Sequence, residues 1–250
     1  IMQYKQIAVK EKNKVESSTK DSLLDELLAL RNIKTEEEIN RFLNPSRKDF
    51  ISPYAFFDME KAKKRIFEAI EKKQKILIWG DFDCDGVTST SLLYKALKKI
   101  DANVITFIPD RLLHGHGLNS KELIKFISKE KVKLIITVDC GISNKTEVNL
   151  LNGFKVDTII TDHHEADGEI PNAYAIINPQ VKNAIKEETS VLDIESLTKN
   201  SGSAVAYKLA MALLEEVNDN DLKDELLVIS ALGVVADVVP LIGENRALVS

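Results

Sequence analysis

Cysteine is scarce in this sequence. Only two, Cys84 and Cys140, occur among 250 residues, and they do not form a Cys-x-x-Cys pair. A disulfide framework and a structural zinc site are therefore not expected. An excess of positive charge is missing as well: 39 Asp and Glu against 34 Lys and Arg leave a formal net charge of −5. Such a balance does not draw the whole chain to nucleic acid or to an anionic membrane. A polyanionic substrate would have to be met by a local basic patch and by metal ions. Long hydrophobic runs are lacking too. The longest, residues 226–242, contains Asp237 and Pro240 and falls short of the ~20 residues that span a bilayer. Lys5, Lys10, Lys12 and Lys14 break up the N-terminal stretch before an apolar leader core can form. A soluble, cytoplasmic protein with no membrane partner is expected. There is no internal repeat and no low-complexity tract.

With 44% hydrophobic residues the chain can bury one large core or two small ones. Its organising stretch is residues 76–88. The apolar run Ile76-Leu77-Ile78-Trp79 stops at Gly80, aspartates follow at 81, 83 and 85, and Gly86 leads into a helix. A short, continuously apolar run is the mark of a strand buried on both faces. On an extended backbone Asp81, Asp83 and Asp85 would project to one side. Crowded carboxylates repel one another unless a cation lies between them, and hard oxygen donors suit Mg2+ or Mn2+. The plainer reading is a solvated acidic turn that caps the helix. Cys84 would point away from the aspartates, as core filler.

The first seventy residues read as a helical lead-in packed on the core. Leu23, Leu24, Leu27, Leu28 and Leu30 form a stripe at helical spacing, and Thr35 with Glu38 makes a capping box before Ile39, Phe42 and Leu43. Asp58 is placed to cap a third helix with Met59, Ala62, Ile66, Ala69 and Ile70 inward. From residue 71 to 250 strands and helices alternate. Strands are expected at 76–79, 104–108, 134–138, 158–161 and 175–177, with amphipathic helices between them. The fold class is α/β: a doubly wound, mainly parallel sheet flanked by helices, with a helical C-terminal part. Residues 182–200 read as a loop insertion, and helices are expected at 202–217 and 221–235.

Ligands of such sheets sit beyond the carboxyl ends of the strands. Those ends carry Asp81, Asp83 and Asp85; Pro109, Asp110 and Arg111; Asp139; Asp162, His163 and His164; and Asn178 with Pro179. Adjacent histidines can divide tasks, one binding a metal and the next donating to an anion. They also fit a surface polar cluster. Asp139 could bridge two cations or merely cap a helix. Asp237, in the most apolar segment, needs a metal or a hydrogen-bond network, because an unpaired buried carboxylate is costly. Taken together, aspartates and histidines of this kind suit a pair of divalent ions about 3.5–4 Å apart and displacement at phosphorus.

Residues 80–86, Val138-Asp139-Cys140-Gly141, Asp162-His163-His164 and Ala236-Asp237-Val238 resemble the four motifs of the DHH phosphoesterase superfamily. Pro109-Asp110-Arg111, Gly115-His116-Gly117-Leu118, Asn178-Pro179, residues 231–241 and Gly243-Glu244-Asn245-Arg246 are similar to its RecJ branch, exonucleases that degrade single-stranded DNA from the 5′ end in repair and recombination. The resemblance covers roughly residues 20–250 and implies two ions, Mn2+ or Mg2+. Asp83 and Asp139 would hold one, supported by Asp81; Asp85, Asp139, His163 and Asp237 would hold the other. His164 would face the scissile phosphate, Asp162 would orient the site, and Arg111 and Arg246 would contact substrate phosphate. Implied partners are single-stranded DNA, a single-strand-binding protein and a helicase.

The chain departs from the family pattern in places. Trp79 stands where many superfamily members have a metal-binding histidine, which leaves the first metal short of a ligand. His116 replaces the usual tyrosine, and Ser203 replaces a glycine. The family's DHHA1-like and OB-fold domains are not among these residues, and weak DNA affinity is the expectation without them. Other readings are a phosphoesterase for oligoribonucleotides or cyclic dinucleotides, a haloacid-dehalogenase-type phosphatase, and a truncated non-catalytic scaffold.

Overall fold

The computed structural model describes residues 22–250, and Lys5, Lys10, Lys12 and Lys14 lie outside the described residues. The chain divides into two compact units, Ile1–Pro45 and Ser46–Ser250. In the first, α1 (Ser22–Leu30) and α2 (Glu36–Leu43) bury a small cluster of Leu28, Ile33 and Ile39. The expected capping box is present: Thr35 Oγ1 accepts from Glu38 N at 3.2 Å, and Thr35 N donates to Glu38 Oε2 at 2.8 Å. Of the leucine stripe, Leu28 is buried while Leu23, Leu27 and Leu30 are exposed.

The second unit starts well before residue 71. Its helix α3 (Met59–Glu71) buries Met59, Ala62, Ile66 and Ala69 in the main core, so the division falls at 45/46. Asp58 stands at the N-cap position of α3, but its side chain makes no cap hydrogen bond. Its Oδ2 accepts from Ile176 N at 2.9 Å instead, which ties the helix start to a strand.

The sheet comprises β1 (Lys75–Trp79), β2 (Val104–Phe107), β3 (Val132–Val138), β4 (Asp157–Thr161) and β5 (Ala175–Ile177), in the order β2-β1-β3-β4-β5 and parallel throughout. Alternation along β1 assigns its residues to two cores. Ile76 and Ile78 face one, with α3, α4 (Cys84–Lys99), α9 (Gly202–Leu213) and α10 (Asn220–Ala236); Leu77 and Trp79 face the other, with α6 (Ser120–Lys125) and α7 (Lys145–Gly153). Burial on both faces explains why these strands read as unbroken apolar runs. The strand order reverses between β1 and β3, and that switch point is where ligands gather in open α/β sheets.

The unit also holds three further short α-helices, α5 (Arg111–His114), α8 (Val191–Leu197) and α11 (Gly243–Val249), with two 3-10 turns and a π-helical turn. Residues 182–200 are thus not a plain loop. Ser190 Oγ caps α8 by accepting from Asp193 N at 3.1 Å, Leu197 is buried, and Lys186 N donates to Ala55 O at 2.9 Å. A seven-residue helix in polar surroundings is too short for its periodicity to stand out in sequence. Among the described residues no helix is long and apolar enough to cross a membrane.

Candidate active site

β1 hands the chain to α4 through Gly80-Asp81-Phe82-Asp83, and the helix starts at Cys84, sooner than the extended reading allowed. The three aspartates therefore part company. Asp83 takes the N-cap, its Oδ1 accepting from Gly86 N at 2.9 Å, while Asp85 already lies in the first turn. Cys84 is exposed and fills no core; Cys140 is buried, and burial pushes its thiol well up, so that it stays protonated.

Asp81 and Asp83 come together with Asp139, and Asp85 comes together with His163 and Asp237, each group offering ligand atoms within 4.8 Å of one another. Asp139 joins the groups. It follows β3 with φ +60°, a left-handed backbone that non-glycine residues rarely adopt. Its amide donates to Thr161 O at 2.9 Å. That geometry turns its carboxylate into the space between the β3 and β4 ends, where Oδ1 lies 3.2 Å from His163 Nε2. Neither atom has a hydrogen-bond partner, although both are buried. His163 Nε2 is also 3.7 Å from Asp237 Oδ2 and 3.9 Å from Asp85 Oδ2. A buried carboxylate oxygen and a buried imidazole nitrogen that face each other among carboxylates without a hydrogen bond form a suitable site for a divalent cation.

The charge state agrees. Burial, then the charges of Asp85 and Asp83, push the Asp139 carboxyl up to about 10. Burial also raises Asp81 and Asp237. A carboxyl that keeps its proton at neutral pH must release it to coordinate a metal. Mn2+ binding, followed by calorimetry from about pH 6 to about pH 8, should strengthen by up to about tenfold per pH unit for each proton released. The heat should vary with the ionisation enthalpy of the buffer. Binding that ignores pH and buffer would contradict this account of Asp139.

Asp162 is buried and used completely. Oδ2 accepts from Ile142 N at 3.0 Å; Oδ1 accepts from His163 N at 2.8 Å and His164 N at 3.2 Å, and lies 2.8 Å from His164 Nδ1. This contact raises the His164 pKa and fixes the ring, while 55% of the side chain stays open to solvent. Asn178, which follows β5, supports the same turn: its Nδ2 donates to His164 O at 3.0 Å.

Asp85 has a second attachment that the sequence reading missed. Gly202 N and Ser203 N, at the start of α9, donate to Asp85 Oδ2 at 2.6 Å and Oδ1 at 2.9 Å. The two amides of the helix N-terminus hold that carboxylate in place. Gly202 has to be glycine here, because a Cβ would collide with the Asp139 carboxylate. The buried Ser203, standing where the family pattern has glycine, locks α9 to α10: its Oγ donates to Ser230 O at 3.0 Å, and Ser230 Oγ donates to Ser203 O at 3.2 Å. The signal available was Ser201-Gly202-Ser203 opening an apolar run, an N-cap signature whose carboxylate target is 117 residues away.

Arg111 opens α5, and its guanidinium lies over the Phe82 ring, 5.3 Å from the centroid. Asp110 forms the α5 cap, accepting from Leu112 N at 2.8 Å and Leu113 N at 3.1 Å. Arg246 sits half-buried on α11, which packs on α8 and α10; it is not carried by a strand end. Its neighbours Glu244 and Asn245 are fully buried and structural.

Comparison with known proteins places these residues among relatives. The sequence pattern of the DHH family, N-terminal domain, matches residues 75–234. The chain is 39% identical over 242 residues to the single-stranded-DNA-specific exonuclease RecJ of Bacillus subtilis (strain 168), a match that covers 95% of this chain and 29% of that protein. It is 33% identical over 237 residues to the protein of that name from Escherichia coli (strain K12), covering 90% of this chain and 39% of the relative. It therefore spans between 29% and 39% of the length of these curated relatives. Among solved structures, exonuclease RecJ bound to manganese superposes with a TM-score of 0.68 at 32% identity, covering 80% of this chain and 48% of the other. RecJ from Thermus thermophilus in complex with Mn2+ gives a TM-score of 0.67 at 29% identity, covering 88% and 29%.

Proposed function

This chain belongs to the DHH family, and from that membership we propose that it is a metal-dependent phosphodiesterase that hydrolyses single-stranded DNA from the 5′ end to mononucleotides. The observation that carries the reading is the pair of buried, unpartnered atoms Asp139 Oδ1 and His163 Nε2, facing each other at 3.2 Å between two carboxylate groups. Asp81, Asp83 and Asp139 would hold one divalent ion, and Asp85, His163 and Asp237, with Asp139 shared, the other. The solved relatives named above hold manganese, which supports Mn2+ here. When bound, such a pair supplies water activation and neutralises charge developing at phosphorus.

The chain's own residues do the positioning. Asp162 pins His164 through Nδ1, so Nε2 is the atom left to donate to a phosphate oxygen, and the raised pKa favours the protonated, donating form. Arg111, laid across Phe82, presents a planar fork to the next phosphate. Arg246 is a more distant phosphate contact in this reading. The amides of Gly202 and Ser203 keep Asp85 oriented as the substrate enters. A role in DNA repair and recombination, in the cytoplasm beside a single-strand-binding protein and a helicase, belongs to the same proposal.

The test is hydrolysis of one oligonucleotide labelled at its 5′ end and of the same oligonucleotide labelled at its 3′ end, single-stranded and as a duplex, in Mn2+. The expected result is early release of labelled mononucleotide only from the 5′-labelled single strand. Early mononucleotide release from the 3′ label would overturn the polarity. No cleavage by folded protein that binds Mn2+ would overturn the nuclease assignment.

A further inference from the structure

Trp79, at the position where the superfamily pattern has a metal-binding histidine, has other work. Its indole Nε1 donates to Gly117 O at 3.1 Å, across the mouth of the sheet. From the other side Asn144 Oδ1 accepts from Leu118 N at 3.1 Å. The loop that follows α5 is thus held at two consecutive residues, Gly117 and Leu118. Gly117, at φ +70°, supplies the turn that a side chain would resist, and packs so closely on Asn144 that a Cβ would clash. His116 immediately precedes these anchors.

The His116 ring lies against Phe82, with centroids 4.8 Å apart and planes at 55°. Its Nδ1 is 3.8 Å from Asp81 Oδ2, yet the ring belongs to none of the ligand groups, and 69% of the side chain is open to solvent. One face is backed by an aromatic ring and the other is bare, at the edge of the carboxylate cluster. Arg111 covers part of the same Phe82 ring. The carboxylate cluster thus carries an oriented, flat and exposed π surface at its rim.

We infer that His116, backed by Phe82, is the stacking platform for the base of the nucleotide whose phosphate occupies the carboxylate cluster; this rests on the nuclease reading above. Stacking fits a degradative enzyme because every base has a π face, so the contact holds the strand without selecting its sequence. Holding the loop by backbone contacts from Trp79 and Asn144 lowers the entropy that the ring would otherwise lose on binding. His116 is then a positioning residue for the substrate.

The test pairs His116→Ala and His116→Phe with two substrates, a 5′-phosphorylated single strand and the same strand with an abasic 5′-terminal nucleotide. On the normal strand His116→Ala should raise KM about 5- to 100-fold with a smaller change in kcat, the range that loss of one base–aromatic stack corresponds to. His116→Phe should restore most of that loss. On the abasic strand wild type and His116→Ala should be nearly equal. A parallel readout needs no turnover: a 2-aminopurine at the 5′ end, bound in Ca2+, should be quenched by wild type and His116→Phe and less by His116→Ala. Equal losses on both substrates, or a Phe variant as poor as Ala, overturn the stacking role and leave the nuclease reading intact. Quenching without cleavage upholds the platform and overturns the nuclease reading. Absence of both binding and cleavage overturns both.

Discussion

Asp139→Asn should bind divalent metal at least about 100-fold more weakly than wild type and lose at least about 10²–10³-fold in phosphodiesterase rate. Groups that merely support a ligand are worth about 10–100-fold in metal affinity, and Asp139 belongs to the group with Asp81 and Asp83 and to one with His163 and His164. Loss of one aimed electrostatic contact at a reacting centre typically costs about 10²–10³ in rate. The same variant should be no less stable than wild type without metal, and more stable at alkaline pH. In the folded, metal-free protein the Asp139 carboxyl is pushed up to about 10, far above the ~3.9 of an unfolded aspartate. The unfolded chain then binds fewer protons than the folded one, so the wild type loses stability as pH rises from about 4 towards about 10. Asparagine does not titrate, which should flatten that slope. Calorimetry with Mn2+ and chemical unfolding in chelator at several pH values give both numbers. A variant that binds metal normally, or unfolds with the wild-type pH slope, contradicts the role given to Asp139.

The second large effect is on stability and concerns a buried ion pair outside the carboxylate cluster. Lys208, on α9, is buried with its ammonium donating to Glu244 Oε1 of α11 and to Ile51 O. Glu244 Oε1 also accepts from Ile51 N at 2.9 Å, and Glu244 N donates to Ser196 Oγ of α8 at 2.8 Å. One buried ion pair thus gathers four separate segments. Burial pulls the Lys208 pKa down, with Glu244 opposing. Lys208→Met should destabilise the fold by about 3–5 kcal/mol, because it leaves a carboxylate buried without its counter-charge. For a unit of this size that is a fall in Tm of about 6–20 °C. Lys208→Met with Glu244→Gln should recover much of the loss, since a neutral amide can still accept from Ile51 N. Equal thermal unfolding of the single variant and wild type would show that the pair contributes nothing. Glu244 and Asn245 belong to a motif that sequence resemblance ties to substrate through Arg246. Here both are structural: Asn245 Nδ2 donates to Lys199 O at 2.6 Å and to Pro240 O at 3.1 Å.

Much of the fold was legible because the relevant signals are short-ranged. The run Ile76–Trp79 is apolar throughout because both its faces are buried, and the Thr35–Glu38 box closes within one turn. Other local readings failed because a competing contact won. Asp58 holds the cap position, but its carboxylate is taken by Ile176 N rather than by the helix amides. Asp81, Asp83 and Asp85 looked like one extended row, but the N-cap at Asp83 starts the helix early and sends Asp85 to a different neighbour. The α8 segment was hidden by its brevity.

The sequence by itself determined the α/β alternation, the strand ends on which chemistry could stand and the identity of the acidic and imidazole groups there, since these depend on residue type and periods of two to four residues. Tertiary structure alone decided which groups meet. The placing of Asp139 against His163, the reach of the α9 amides to Asp85, the anchoring of His116 by Trp79 and the burial of Lys208 with Glu244 all join segments far apart in the chain. Contacts of that range are set by how whole elements pack, and no local pattern encodes their distances.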